Sequence, residues 1–167
     1  MNELFPLVDE NGLVVGKAKR SECHGGTHWL HPVVHLHVFN KEGDLLLQKR
    51  SMNKDIQPGK WDTSVGGHVS FGESVEQALQ REVLEEIGIQ DYQPHFLQRY
   101  VWESSIEKEL VNVFYTHYDG HFQFDPVEID TIRFWKIDDI QQQIGKGLFT
   151  PNFEHEFQLI ISKLSIK

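Results

Sequence analysis

The segment Gly67–Ile89 constrains this chain more than any other. Ser74 is placed to cap a helix over Val75–Ile87, with Gly88 just past its end, where a glycine accepts the left-handed conformation that closes a helix. Leu79, Val83 and Ile87 recur at i, i+4 and i+8, so they form one apolar stripe that has to be buried, here against a sheet. The same helix carries Glu82, Glu85 and Glu86 within an arc of roughly 100°. Clustered carboxylates raise one another's pKa, and a divalent cation among them removes that cost. Hard cations such as Mg²⁺ take carboxylate oxygens and keep positions open for phosphate and water. Ala78 leaves room near the acidic arc. Arg81 stands four residues before Glu85, a spacing that predicts a pair. Gly66-Gly67 permits close backbone approach and positive φ, and offers a carbonyl to a metal shell.

These residues fit the pattern Gly-x5-Glu-x7-Arg-Glu-U-x-Glu-Glu-x-Gly-U, with U aliphatic, at every fixed position from Gly67 to Ile89. The pattern resembles the Nudix box. The resemblance implies an α/β (α+β) fold, the Nudix-type α/β/α sandwich with a mixed β-sheet. It implies Mg²⁺, or Mn²⁺ in its place, as cofactor and hydrolysis of a nucleoside diphosphate linked to some group X. Glu82, Glu85 and Glu86 would then be metal ligands, with the Gly67 carbonyl and with Glu73 beside them. Glu85 and Arg81 would be catalytic, Arg81 as a supporting residue.

Elsewhere the pattern is of strands with few helices. Leu4–Val8 and Leu13–Ala18 flank Asp9-Glu-Asn-Gly12, a hairpin signal. Ser21–Leu30 reads as a Gly- and His-rich loop. Val33–Phe39 and Leu45–Gln48 read as strands, Arg50–Trp61 as a basic loop, and Asp62–Val69 as extended. His95–Glu103, Leu110–Tyr118 and Thr131–Ile137 are further strands, and Asp138–Ile144 and Phe153–Leu164 are helices. One domain over 1–167 is expected, with a core at about 31–165 and the hairpin and His-rich loop at 1–30. Phe122, Phe124, Phe149 and Phe153 are core candidates. Trp29, Trp61 and Trp135 are expected to pack; the role of Trp102 stays open. His35 and His37 alternate with Val34, Leu36 and Val38, so they share a sheet face. Of a substrate-contacting wall and a hydrogen-bonded, partly buried pair, the second is preferred.

Outside the box the chain resembles the isopentenyl-diphosphate isomerase branch of the same superfamily, over roughly Val8–Phe153. By that resemblance His24, His31, His68, Glu107 and Glu109 form a second metal site, and imidazole with carboxylate suits Mn²⁺, Fe²⁺ or Zn²⁺. Arg50 and Lys54 match diphosphate-binding residues. Glu109 is also a candidate catalytic base, since Nudix hydrolases often place an acid in this region. Two departures weigh against isomerase chemistry. Gly66 stands where those enzymes carry an essential cysteine, and Asn152 stands where they carry a tryptophan. The expectation is therefore a pyrophosphohydrolase. An isomerase and a catalytically silent nucleotide-binding module are the alternatives.

The formal charge of −9 argues against binding a nucleic-acid backbone. The single cysteine, Cys23, excludes an internal disulfide and suits a reducing cytoplasm. No run approaches a membrane span, and the start lacks a signal-peptide pattern, so a cytoplasmic enzyme of small-molecule diphosphates is expected. Relatives of this kind are commonly homodimers, which is the assembly expected here. The loops Ser21–Leu30, Arg50–Trp61 and Val101–Leu110 would select X.

Overall fold

The structure is a computed structural model that describes residues 3–165. Strands β1 (Leu4–Val8) and β2 (Val14–Lys19) form the expected antiparallel hairpin. The predicted loop that follows is interrupted by one short helical turn, α1 (Arg20–Cys23). Strand β3 (Leu30–Phe39) runs through the middle of the main sheet. Strands β4 (Leu45–Arg50), β5 (Trp61–Asp62) and β6 (Val65–His68) come next, so the extended stretch predicted at 62–69 is split in two. Helix α2 (Val75–Ile87) has the predicted bounds. Strands β7 (His95–Glu103), β8 (Lys108–His117) and β9 (Ile129–Trp135) precede α3 (Ile137–Gln143) and α4 (Pro151–Leu164).

The sheet is mixed. Its order is β5-β4-β3-β8-β7, β6 also pairs with β3, and β9 with β4. Strand β3 is parallel to β8 along its whole length and antiparallel to β6 over Val33–Leu36. Alternation along β3 sorts side chains to two layers. Val34, Leu36 and Val38 pack with Leu79, Val83 and Ile87 of α2. Val33 and Phe39 pack with Ile140 of α3 and Phe153, Phe157 and Ile160 of α4. Burying each of the three α2 stripe residues is worth about 1.5–3 kcal/mol, which holds the acidic helix against the sheet. The α/β/α sandwich is thus present.

Local chemistry fixes α2 at both ends. The Ser74 hydroxyl accepts from the Gln77 N–H at 3.1 Å, and the Gln77 side chain accepts from the Ser74 N–H at 2.9 Å. Gly88 lies at φ 72°, where its N–H reaches Val83 and Leu84 carbonyls. A Cβ there would press on Gln123. Gly66 and Gly67, in contrast, are absent from the positive-φ positions. What they provide is space: a Cβ on Gly67 would collide with the Glu82 carboxyl group.

Phe149 and Phe153 are core as expected, while Phe122 and Phe124 are half-buried. Trp61 and Trp135 pack edge-on in the core, Trp29 is exposed, and Trp102 lies beside His155.

Candidate active site and metal centres

Glu82 and Glu86, one turn apart on α2, are brought against the β6 backbone. They hydrogen-bond to each other, and Glu86 Oε1 also accepts from Gln48 Nε2 at 2.8 Å and the Gly66 N–H at 3.4 Å. Burial and then repulsion by Glu82 push the Glu86 pKa well above the usual carboxylate range, against the opposing hydrogen bond from Gln48. Burial raises Glu82 as well, and its bonds to Glu86 and Arg81 do not cancel the effect. Two half-buried carboxylates whose charges oppose each other are what a bound cation would relieve, so the all-oxygen donor set fits Mg²⁺.

Glu85 is more exposed than this pair and shares the Arg81 guanidinium with Glu82. Its side chain is 57% exposed and only 3.5 Å contact ties it to Arg81. It opens onto a cleft of about 370 Å³ with Leu84, Gly88, Gln123, Phe124 and Asp125. The predicted Arg81–Glu85 pair is therefore the weakest of the arginine's contacts. Arg81 instead grips Glu73 with two bonds at 2.8 and 2.9 Å, Glu82 at 2.7 Å and the His68 carbonyl at 3.0 Å. Planar guanidinium and carboxylate fit such a two-point contact. Hydrogen bonding to Arg81 holds the Glu73 pKa below its ordinary value despite partial burial. The second Glu73 contact, from the Ser70 N–H at 3.0 Å, ties down the loop before α2. Both Glu73 oxygens accept hydrogen bonds that hold the loop against α2. Arg81→Ala removes both guanidinium bonds of Glu73, leaving it only the Ser70 N–H, and takes the Arg81 bond from the His68 carbonyl. We expect a loss of about 2–3 kcal/mol in urea unfolding, since a third of the guanidinium is exposed and partly screened.

The second predicted cluster also assembles, from four separate elements. His24 Nε2 lies 3.3 Å from His68 Nε2 and 3.4 Å from Glu107 Oε2. His31 Nε2 is 3.6 Å from Glu107 Oε1, and His68 Nε2 is 3.8 Å from Glu109 Oε2. Ligand atoms of His24, His31, His68 and Glu107 all fall within 4.8 Å of one another. His31 Nδ1 faces the Trp29 carbonyl at 2.9 Å and donates to it, which leaves Nε2 as a lone pair directed inward. That Nε2 is buried without a hydrogen-bond partner. Burial, then the neighbouring His31 and His24, lowers the His68 pKa to about 3. Burial likewise lowers His24. Burial would raise Glu107, but its neighbours His31, Glu109, His24 and His68 together hold it at about 2. Neutral imidazoles around an ionised carboxylate are the protonation states a metal requires. Glu109 differs: burial, then Glu107, pushes it well above the carboxylate range, so it stands as a proton-bearing acid beside the cluster. Phe5 of β1 stacks flat on His68 at 4.6 Å and on His31 at 5.6 Å, so the hairpin closes this site.

Arg50 and Lys54 are less available than expected. Arg50 bonds to the Ile56 carbonyl at 3.0 Å and to Asp62 at 3.4 Å, and Lys54 to Glu128 at 3.1 Å. An anion there would compete with internal partners. His28, which drew no metal assignment, pairs with Glu103 at 2.8 Å. The preferred reading of His35 and His37 holds: both bond to Glu156 of α4. Glu156 went unmarked in the sequence. Its signal was a charge on the apolar face of α4, three residues after Phe153 and four before Ile160.

Residues 29–153 match the NUDIX domain. Over 163 residues the chain is 31% identical to an isopentenyl-diphosphate Delta-isomerase of Pectobacterium atrosepticum, covering 95% of this chain and 89% of that protein. It is 40% identical over 87 residues to an uncharacterized Nudix hydrolase of Listeria monocytogenes, a match that spans 52% of each protein, so about half of that relative. The fold is similar to that of DR0079 from Deinococcus radiodurans, with a TM-score of 0.82, 24% identity, and coverage of 94% of this chain and 98% of that one. With a domain match over most of its length, a complete box and the corresponding sandwich, the chain belongs to the NUDIX domain family.

Proposed function

We propose that this protein is a cytoplasmic, Mg²⁺-dependent pyrophosphohydrolase that cleaves a diphosphate linkage in a nucleoside diphosphate derivative or a similar small molecule by water attack. The observation that carries this reading is the half-buried Glu82–Glu86 pair against Gly66 and Gly67. A bound Mg²⁺ would neutralise phosphate charge and lower the pKa of a bound water. Glu82 and Glu86 would hold it, with the Gly67 carbonyl beside them. Arg81 fixes Glu82 and keeps the loop bearing Glu73 in place. Glu85, exposed at the cleft rim, would accept a proton from the attacking water. Glu109, on the other layer, carries its own proton and so suits an acid better than a base.

The His24/His31/His68/Glu107 cluster and the isomerase relatives support the second reading, double-bond isomerisation of isopentenyl diphosphate. Against it stands Gly66, which leaves no thiol for carbon protonation. The two are separated by one panel experiment. Phosphate release is followed across nucleoside di- and triphosphates, nucleotide sugars, dinucleotides and isoprenoid diphosphates with Mg²⁺ and Mn²⁺, beside deuterium uptake into isopentenyl diphosphate. Gly67→Ala provides a steric test of the Mg²⁺ site. Its methyl would displace the Glu82 carboxyl, so turnover should fall about 10²-fold, as for ångström-scale misplacement. Circular dichroism should show an unchanged fold.

A further inference from the structure

A third titratable network lies in the α4 layer, and neither metal cluster uses it. Glu156 is fully buried on α4. Its Oε1 accepts from His35 Nδ1 at 2.8 Å and from the Tyr100 hydroxyl at 2.6 Å, and its Oε2 accepts from His37 Nε2. The Tyr100 oxygen accepts in turn from Asn152 Nδ2 at 2.8 Å. His37 Nδ1 is buried without a partner, which fits a neutral ring protonated at Nε2. His35 differs from His37 because its second nitrogen has somewhere to go. It pairs across the sheet with Gly66, and a Cβ built on Gly66 would lie 3.3 Å from His35 Cδ2 and 3.5 Å from Nε2. The missing side chain at Gly66 is what leaves His35 Nε2 facing open space rather than packed atoms.

We propose that Glu156 and His35 form a carboxylate–imidazole dyad that presents a positively charged N–H in the space over Gly66, as a binding position for an anionic oxygen of the substrate. The identity of that oxygen as phosphate rests on the hydrolase reading above; the dyad itself does not. Burial opposes a charge on His35, but the attraction and hydrogen bond of Glu156, with Asp62 adding to them, raise its pKa above the ordinary value. Burial opposes a charge on Glu156 too, but the attraction and hydrogen bond of His35, with the hydrogen bond from His37, hold it far below the usual carboxylate range. The titratable groups around the dyad are Glu156 on α4, Asp62 on β5, Tyr100 on β7, Glu109 on β8 and His37 on β3. Tyr100 is pushed up by burial and Glu156, and Glu109 by burial and Glu107, so both stay neutral. Asp62 is already met by Arg50 and by the Thr150 hydroxyl at 3.0 Å. Glu86 of α2 reaches the Gly66 N–H at 3.4 Å, but burial and Glu82 push its pKa well up, so no free anion stands against the donor facing Gly66. A network that only tied α4 to the sheet would be indifferent to what stands at Gly66.

The test uses a thiolate as the anionic probe. In full-length Gly66→Cys protein in EDTA, iodoacetamide alkylation is followed against pH, with the wild-type chain giving the background from buried Cys23. An ordinary thiol has a midpoint near 8.5, and a neighbouring cation lowers it. We expect the introduced thiol to titrate about one pH unit or more lower, and His35→Gln in the same background to return it to the ordinary range or above. Glu156→Gln serves as the second variant should His35→Gln not fold, and should also move the midpoint up. An ordinary midpoint that neither replacement changes overturns the dyad. Since no substrate is involved, the thiol result stands whether or not the protein hydrolyses diphosphates. Mg²⁺-dependent hydrolysis with an unperturbed thiol would sink the dyad alone.

Discussion

Glu86→Gln should abolish Mg²⁺-dependent turnover, by about 10³-fold or more if the metal-bound charge stabilisation is lost, and at the same time raise the thermal stability of the metal-free protein. The two effects share one cause. Glu86 is half-buried and faces Glu82, and both carboxyl pKa values are pushed up. Without a cation the pair costs folding free energy; an amide keeps the shape and the bond to Gln48 but removes the repulsion. For a chain of this size each kcal/mol relieved shifts the melting temperature by about 2–4 °C. A site built for packing alone would show the reverse, a loss of stability on replacing a hydrogen-bonded carboxylate. Glu85→Gln separates binding from chemistry: turnover should fall by orders of magnitude, about 10²–10⁴-fold for a lost proton acceptor, while metal-free stability changes little because Glu85 is exposed. Calorimetry and phosphate release on the same samples check both.

The histidine cluster should bind a transition metal independently of α2. Titrating Zn²⁺ or Mn²⁺ to a hundredfold excess over Kd should stabilise the fold by about 2.7 kcal/mol, or roughly 5–11 °C in melting temperature. His68→Gln should remove that shift and Glu86→Gln should preserve it. The opposite pattern would place the metal on α2 only. The metal-free protein also carries a pH signature. His68 is held near a pKa of 3, below the ordinary histidine value of about 6.5. The unfolded chain therefore binds the proton more tightly than the folded one. The stability due to neutral His68 is complete above about pH 6.5 and is lost as pH falls toward 3, with a slope of at most about 1.4 kcal/mol per pH unit. His68→Gln should reduce the fall between pH 7 and 5. The difference between variant and wild type isolates this group from carboxylates, such as Glu86, whose raised pKa acts in the opposite direction.

Helix α2 was legible residue by residue because its signals are local: an N-cap at Ser74, an apolar stripe, a glycine at the end. The histidine cluster was legible only through resemblance, since His24, His31, His68 and Glu107 come from four elements whose meeting depends on the β3–β6 and β3–β8 registers. Two features escaped. Arg81 makes the predicted contact with Glu85 along the helix, but it also grips Glu73 across the loop through two shorter bonds. Glu156 joins His35 and His37 across 121 and 119 residues, a distance over which no periodicity speaks. Gly66 and Gly67 were read for close backbone approach and for positive φ; the fold uses the first, through their lack of side chains on both sides of one strand.

The most direct measurement of the central claim is metal-dependent phosphate release from the diphosphate panel, wild type beside Glu86→Gln, with isopentenyl diphosphate in D₂O as a parallel arm. The account predicts release from at least one nucleoside diphosphate derivative that requires Mg²⁺ or Mn²⁺, disappears in Glu86→Gln, and is accompanied by no deuterium uptake into the allylic carbon. Deuterium uptake without release from any member of the panel would contradict it.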